Sequence, residues 1–182
     1  EANGGHVVLK AESISDVFTK AINLDGVVRA DKVEMKDGIV RIVSSKEVEV
    51  KADISASKIE IGSPDEAIPT KIDLIGAKIV ANGQGISIIS KGDINTSATI
   101  TAIDSDVYLT ADYDMDNVGE LHQYSGVISA TGYGNVYLDG SNTMKLGTIS
   151  TEYGAIKVGT IVTPTVISGN PTYIHTKGDF EI

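Results

Sequence analysis

Residues 48–61 read Val48-Glu49-Val50-Lys51-Ala52-Asp53-Ile54-Ser55-Ala56-Ser57-Lys58-Ile59-Glu60-Ile61. Two triplets in this stretch, Val48-Glu49-Val50 and Ile59-Glu60-Ile61, set apolar side chains two residues apart around a charged one. Successive side chains of a strand point to opposite faces, so such a triplet buries one face and wets the other. The unit recurs at Ile72-Asp73-Leu74, Ile86-Ser87-Ile88, Val107-Tyr108-Leu109, Val136-Tyr137-Leu138, Met144-Lys145-Leu146 and Ile156-Lys157-Val158. Between the runs lie corners such as Asp37-Gly38, Asn82-Gly83-Gln84-Gly85, Lys91-Gly92-Asp93 and Asp139-Gly140-Ser141, built of the residues that supply turn geometries.

The β-branched runs fall into register about every twenty residues: Ile39, Ile59 and Ile79; Ile54, Leu74 and Ile94; Val28 and Val48; Val136 and Ile156. This is the length of one coil of a parallel β-helix, whose coils bury their apolar faces only when stacked. The expected fold is therefore all-β, a parallel β-helix forming a single domain over residues 1–182. An antiparallel β-sandwich, with strands every 8–12 residues, is the alternative. Strands this short, and the lack of consistently placed Asn-Gly hairpin signals, favour the helix.

Bulk composition agrees. The hydrophobic fraction is 41% with 5% aromatic, so a core must be filled by small aliphatic side chains, which suits a narrow column. There is no cysteine, which excludes disulfides, thiolate metal sites and cysteine catalysis. The net charge is −10, and the second half carries most of it, since no Lys or Arg lies between Lys91 and Lys145. Nucleic acid and anionic lipid, which are bound through Lys and Arg, are poor partners for such a surface. No apolar run approaches the ~20 residues of a membrane-spanning helix, so membrane insertion is not expected. Cations, neutral glycans and protein are better partners. The opening Glu1-Ala2-Asn3 reads as the start of a piece of a longer chain.

Two segments interrupt the repeat. Residues 12–24 place Ile14, Val17, Phe18 and Ile22 at helical spacing, with Ser13 or Ser15 as N-cap and Gly26 just beyond, which predicts a short helical insert. Residues 112–126 are polar and Asp-rich and predict a protruding loop. Pro64 and Pro69 bracket a smaller excursion.

Residues 2–30 carry a resemblance. Ala2-Asn3-Gly4-Gly5-His6-Val7-Val8-Leu9-Lys10-Ala11, the helical insert, and Ile22-Asn23-Leu24-Asp25-Gly26-Val27-Val28-Arg29-Ala30 resemble repeats of filamentous-haemagglutinin-like exoproteins of two-partner secretion systems. The resemblance continues to residue 53 and is looser beyond. It implies a right-handed β-helix, export to the bacterial cell surface, and adhesion. The family's Asn-Pro-Asn motif is absent, the nearest thing being Asn170-Pro171, so the resemblance implies an interior or downstream segment.

Three groups of residues are candidate sites. Asp112, Asp114 and Asp116 alternate, with Glu120 following, and resemble the front of a calcium loop; Asn117 and Gln123 stand where such a loop wants Gly and Glu, and a solvated loop tip is the plainer reading. Tyr108 and Tyr137 sit in the middle of matching Val-Tyr-Leu runs, so both rings face outward, as a platform for sugar or a partner chain or as a stabilising ladder. Gly178-Asp179-Phe180-Glu181-Ile182 still alternates like a strand, which makes Phe180 and Ile182 candidates for end-to-end assembly.

Enzymatic motifs are lacking. His6, His122 and His175 have no metal spacing, no H-E-x-x-H occurs, and Gly83-Gln84-Gly85 opens no helix. Polysaccharide-cleaving β-helices need paired acids, and no Asp-Asp pair is present. The expectation is a non-catalytic, extracellular, structural and adhesive segment that extends a surface filament, with itself, a glycan, or a host or abiotic surface as partner. A glycan-binding or polysaccharide-degrading module is the alternative, and calcium is the one cofactor the residues raise.

Overall fold

The structure, a computed structural model, describes the backbone of residues 7–10, 28–29, 32–36, 38–161, 166–168 and 173–181, and side chains for 38–161, 167 and 175–181. The helix expected at 12–24 and Ile182 lie outside the described residues.

Every apolar triplet named above lies in or overlaps a short strand, and the strands stack into three parallel sheets that wind as a β-solenoid. The first sheet takes Ile39–Val43, Lys58–Ile61, Ile86–Ile89, Val107–Thr110, Val136–Asp139, Ile156–Val158 and Phe180–Glu181 in that order. The second takes Glu47–Val50, Lys71–Leu74, Ile94–Thr96, Leu121–Gln123, Thr143–Lys145 and Val166–Ser168. The third takes Ile54–Ala56, Lys78–Asn82, Thr99–Ile103, Val127–Ala130, Thr148–Thr151 and Tyr173–His175. One strand from each sheet makes a coil. At ~4.8 Å between hydrogen-bonded strands, the six coils rise roughly 25–30 Å.

The twenty-residue register is corrected by the pairing. Val136 does stack on Ile156. Ile39, however, lies beside Lys58, Ile79 stacks on Ile54, and Ile94 stacks on Ile72 rather than Leu74. In the first sheet Val40, Ile59, Ile86, Val107, Val136, Ile156 and Phe180 lie one above another. The steps in that column range from 19 residues between Val40 and Ile59 to 29 between Val107 and Val136. Coils share a cross-section, not a length. Extra residues leave at corners and the column closes again in register, because a one-residue slip would turn every apolar side chain to water. The expected loop at 112–126 is shorter for the same reason: Leu121–Gln123 is already a strand of the second sheet.

The core is an unbroken column of fully buried Ile, Val and Leu. The third sheet adds a feature of its own, the column Ile54, Ile79, Ile100, Ile128 and Ile149, with Ala56, Ala81, Ala102 and Ala130 two residues on. One bulky and one methyl-sized filler per strand fit the narrow interior at close-packed density.

Parallel stacking stops at one end. Lys32–Lys36 pairs antiparallel with Ile39–Val43, Val7–Lys10 pairs antiparallel with Lys32–Lys36, and Val28–Arg29 runs antiparallel to Glu47–Val50. These strands cover the two sheet edges of the first coil.

Candidate functional site

The outward positions of the first sheet form a column of Arg41, Glu60, Ser87, Tyr108, Tyr137, Lys157 and Glu181. Tyr108 and Tyr137 stack face to face, with ring centroids 4.5 Å apart and planes 4° from parallel. The ladder reading is thus realised for this pair, each ring covering the other. The Tyr108 hydroxyl donates to Asp106 Oδ2 at 2.9 Å. Burial against the neighbouring ring, and then the Asp106 carboxylate, push the phenol's pKa well above its usual value.

Beside this column lies the corner where the third sheet turns into the first. Here the chain is stripped to backbone. A Cβ on Gly134 would lie 2.1 Å from the Ser105 carbonyl oxygen, and one on Gly154 only 2.0 Å from that of Gly134. Asp106 ties the coils together, its Oδ1 accepting from the Asn135 backbone N–H at 2.7 Å and from Asn135 Nδ2 at 3.1 Å. Asn135 Oδ1 in turn accepts from Ala155 N–H at 2.8 Å. Tyr133 is 84% exposed and its ring lies 5.5 Å from that of Tyr153, over which Lys177 Nζ sits at 4.6 Å. Successive coils thereby edge an open groove of about 620 Å³, walled by residues 83–87, 104–106, Tyr108, Tyr133 and Lys58.

The aspartate loop is a second local construction. Carboxylate oxygens of Asp112, Asp114 and Asp116 lie within 4.8 Å of one another, so the three can offer oxygens to one cation. Asp112 is fully buried and braces the loop, accepting from the N–H groups of Asp116 at 3.0 Å and Asn117 at 3.1 Å. Asp112, Met115 and Asn117 adopt positive φ of 57°, 58° and 68°, the left-handed region that Asp and Asn tolerate best. Asp116 is fully exposed, and its pKa is raised, through desolvation first and then the charges of Asp114 and Asp112. Glu120 is engaged elsewhere, its Oε2 3.1 Å from His122 Nε2. Gln123 is buried and spent on structure, its amide bonding Thr148 O and Gly147 N–H.

The second sheet's outward face carries a polar chain. His122 Nδ1 lies 3.3 Å from the Tyr124 hydroxyl, Tyr124 reaches Asn95 at 3.4 Å, and Asn95 donates to Asp73 at 3.0 Å. His122 belongs to the second sheet and His175 to the third, so no histidine pair forms among the described residues. Phe180 is partly exposed on the last strand of the first sheet.

Tyr133, Tyr153, Asp104, Gln84 and Ser87 were not singled out by sequence pattern. Their one signal was position: Gln84, Ser87, Tyr133 and Tyr153 lie in or beside glycine-containing corners, and Asp104 in the glycine-free corner Asp104-Ser105-Asp106. No protein-family model, curated protein or solved structure matches the chain.

Proposed function

We propose that the chain is a non-catalytic segment of an extracellular bacterial adhesin or stalk, a rod whose side surface makes the contacts. The observation that carries this reading is that coil length varies while core register does not: the excursion over residues 62–70 and the loop over 112–120 leave the column without disturbing it. Such a body is a scaffold for display. Its stability sums over stacked neighbours, so it can be lengthened coil by coil and loops can be changed without rebuilding a core. The resemblance of residues 2–53 to filamentous-haemagglutinin-like exoproteins supports the same role and the same location. Partner candidates are a glycan, a host or abiotic surface, or another copy meeting the Phe180–Glu181 edge by strand addition.

The test is to coat beads with the purified chain and measure attachment to epithelial cells and to glass under flow, with a reducing-end assay on soluble polysaccharides run alongside. Attachment above albumin-coated beads without release of reducing ends supports the reading. Turnover of any polysaccharide, or attachment no better than albumin, refutes it.

A further inference from the structure

We propose that the groove at the corner between the third and first sheets is a saccharide site that takes a chain of neutral sugars. This deepens the adhesive reading by naming what the rod would hold. The groove, about 620 Å³ in volume, falls within the ~300–1,000 Å³ of small-molecule clefts, yet it is open to solvent rather than enclosed, so a ligand longer than the groove is not shut out.

Its chemistry selects the ligand. Asp104, Gln84 and Ser87 line the groove, and no described residue supplies a hydrogen bond to their side-chain polar atoms. Together they offer carboxylate, amide and hydroxyl groups to a ligand rich in vicinal hydroxyls. Asp106 contrasts with them, since Asn135 and Tyr108 already occupy both its oxygens. Asp106 shapes the wall; Asp104 is free to bind. Tyr133 presents a rigid face to which the apolar side of a pyranose ring can stack at low entropic cost.

Charge decides among polymers. Two carboxylates face one lysine, and that lysine, Lys58, is already paired with Glu60. Uronate and sulfated chains would bring like charge to Asp104, and no second cation is among the described residues that line the groove. Bare glycine also matters: Gly83 is in open space at the rim, with nothing within 4 Å of where its Cβ would stand, so backbone is accessible there.

The test is titration of the full chain, followed by NMR or calorimetry, with neutral hexasaccharides (cello-, xylo-, manno- and N-acetylchito-oligomers), hexagalacturonate and hexalysine. The expected result is binding of at least one neutral oligomer, weakened about tenfold by Tyr133→Ala and by Asp104→Asn, and unchanged by Tyr124→Ala on the second sheet. Asn tolerates the left-handed φ of 51° at position 104, and thermal melting of each variant confirms that it folds. Absence of binding by every neutral oligomer at 10 mM overturns the proposal. So does hexagalacturonate or hexalysine binding as tightly as the best neutral oligomer, or binding that both groove variants leave intact. Bead attachment measures adhesion without reference to this groove, so either experiment can fail while the other succeeds.

Discussion

Replacing Ile100 with alanine probes the stacked column at its middle. Ile100 is fully buried, with Ile79 above it and Ile128 below. The change removes three methylene-sized groups, about 2.4 kcal/mol of transfer free energy at ~0.8 kcal/mol each. The neighbouring strands are held at fixed spacing by their own hydrogen bonds and cannot close on the gap, so a cavity term raises the cost to about 3–4 kcal/mol. Ile103, on the same strand, is 38% exposed and faces the other way; its replacement should cost no more than about 0.5 kcal/mol. Equilibrium unfolding in urea, followed by far-ultraviolet circular dichroism because the chain has no Trp, gives both values. The midpoint should fall for Ile100→Ala with little change in slope. Equal losses at the two positions would refute the inward and outward assignment of this strand and with it the column.

Three further outcomes follow from the geometry. Gly154→Ala puts a Cβ 2.0 Å from the Gly134 carbonyl oxygen, so the corner must open; a loss of about 1–3 kcal/mol, read as a drop of several degrees in melting temperature, is expected. Asp112→Ala strips the acceptor from two buried-side loop N–H bonds and should cost about 3 kcal/mol, with faster hydrogen exchange at Asp116 and Asn117. Glu60 sets a pH dependence: burial raises its pKa, but Lys58 and Arg41, the latter at 2.6 Å, outweigh burial and hold it below 4.5. A depressed folded pKa stabilises above the unfolded value and is lost as pH falls through the folded one. Glu60→Gln should therefore destabilise at pH 7 and converge with the parent chain as pH falls through the depressed folded pKa; a difference in melting temperature that stays constant from neutral to strongly acidic pH would count against the pairing.

What could be read from sequence was the alternation and the corners. Val-Tyr-Leu and Ile-Glu-Ile triplets carry their own strand signal, and Asp, Asn and Gly mark turns by backbone need. The third sheet was less legible. Its strands, such as Ile54–Ala56 and Thr148–Thr151, set one isoleucine among Ser, Thr and Ala, which weakens apolar alternation. The recurring Ile-x-Ala of residues 54–56, 79–81, 100–102 and 128–130 was the available signal. Register failed because a fixed period assumes equal coils, whereas Pro64–Pro69 and the aspartate loop add residues that the column ignores. The groove was hidden for a different reason: Gln84, Asp104 and Tyr133 come from three successive corners, 20 and then 29 residues apart, and a fixed period misses the second step.

The stacking order itself is open to a direct chemical test, because the chain has no cysteine of its own. Thr101 and Ser129 are register partners 28 residues apart, with side-chain oxygens 3.0 Å from each other. Strands ~4.8 Å apart fall within the Cα separations a disulfide spans. The double variant Thr101→Cys, Ser129→Cys should oxidise to an intramolecular disulfide, seen as a mobility shift reversed by reductant. Thr101→Cys with His122→Cys, close to a uniform twenty-residue step, should not. Failure of the first pair to close, or closure of the second, would contradict the solenoid described here.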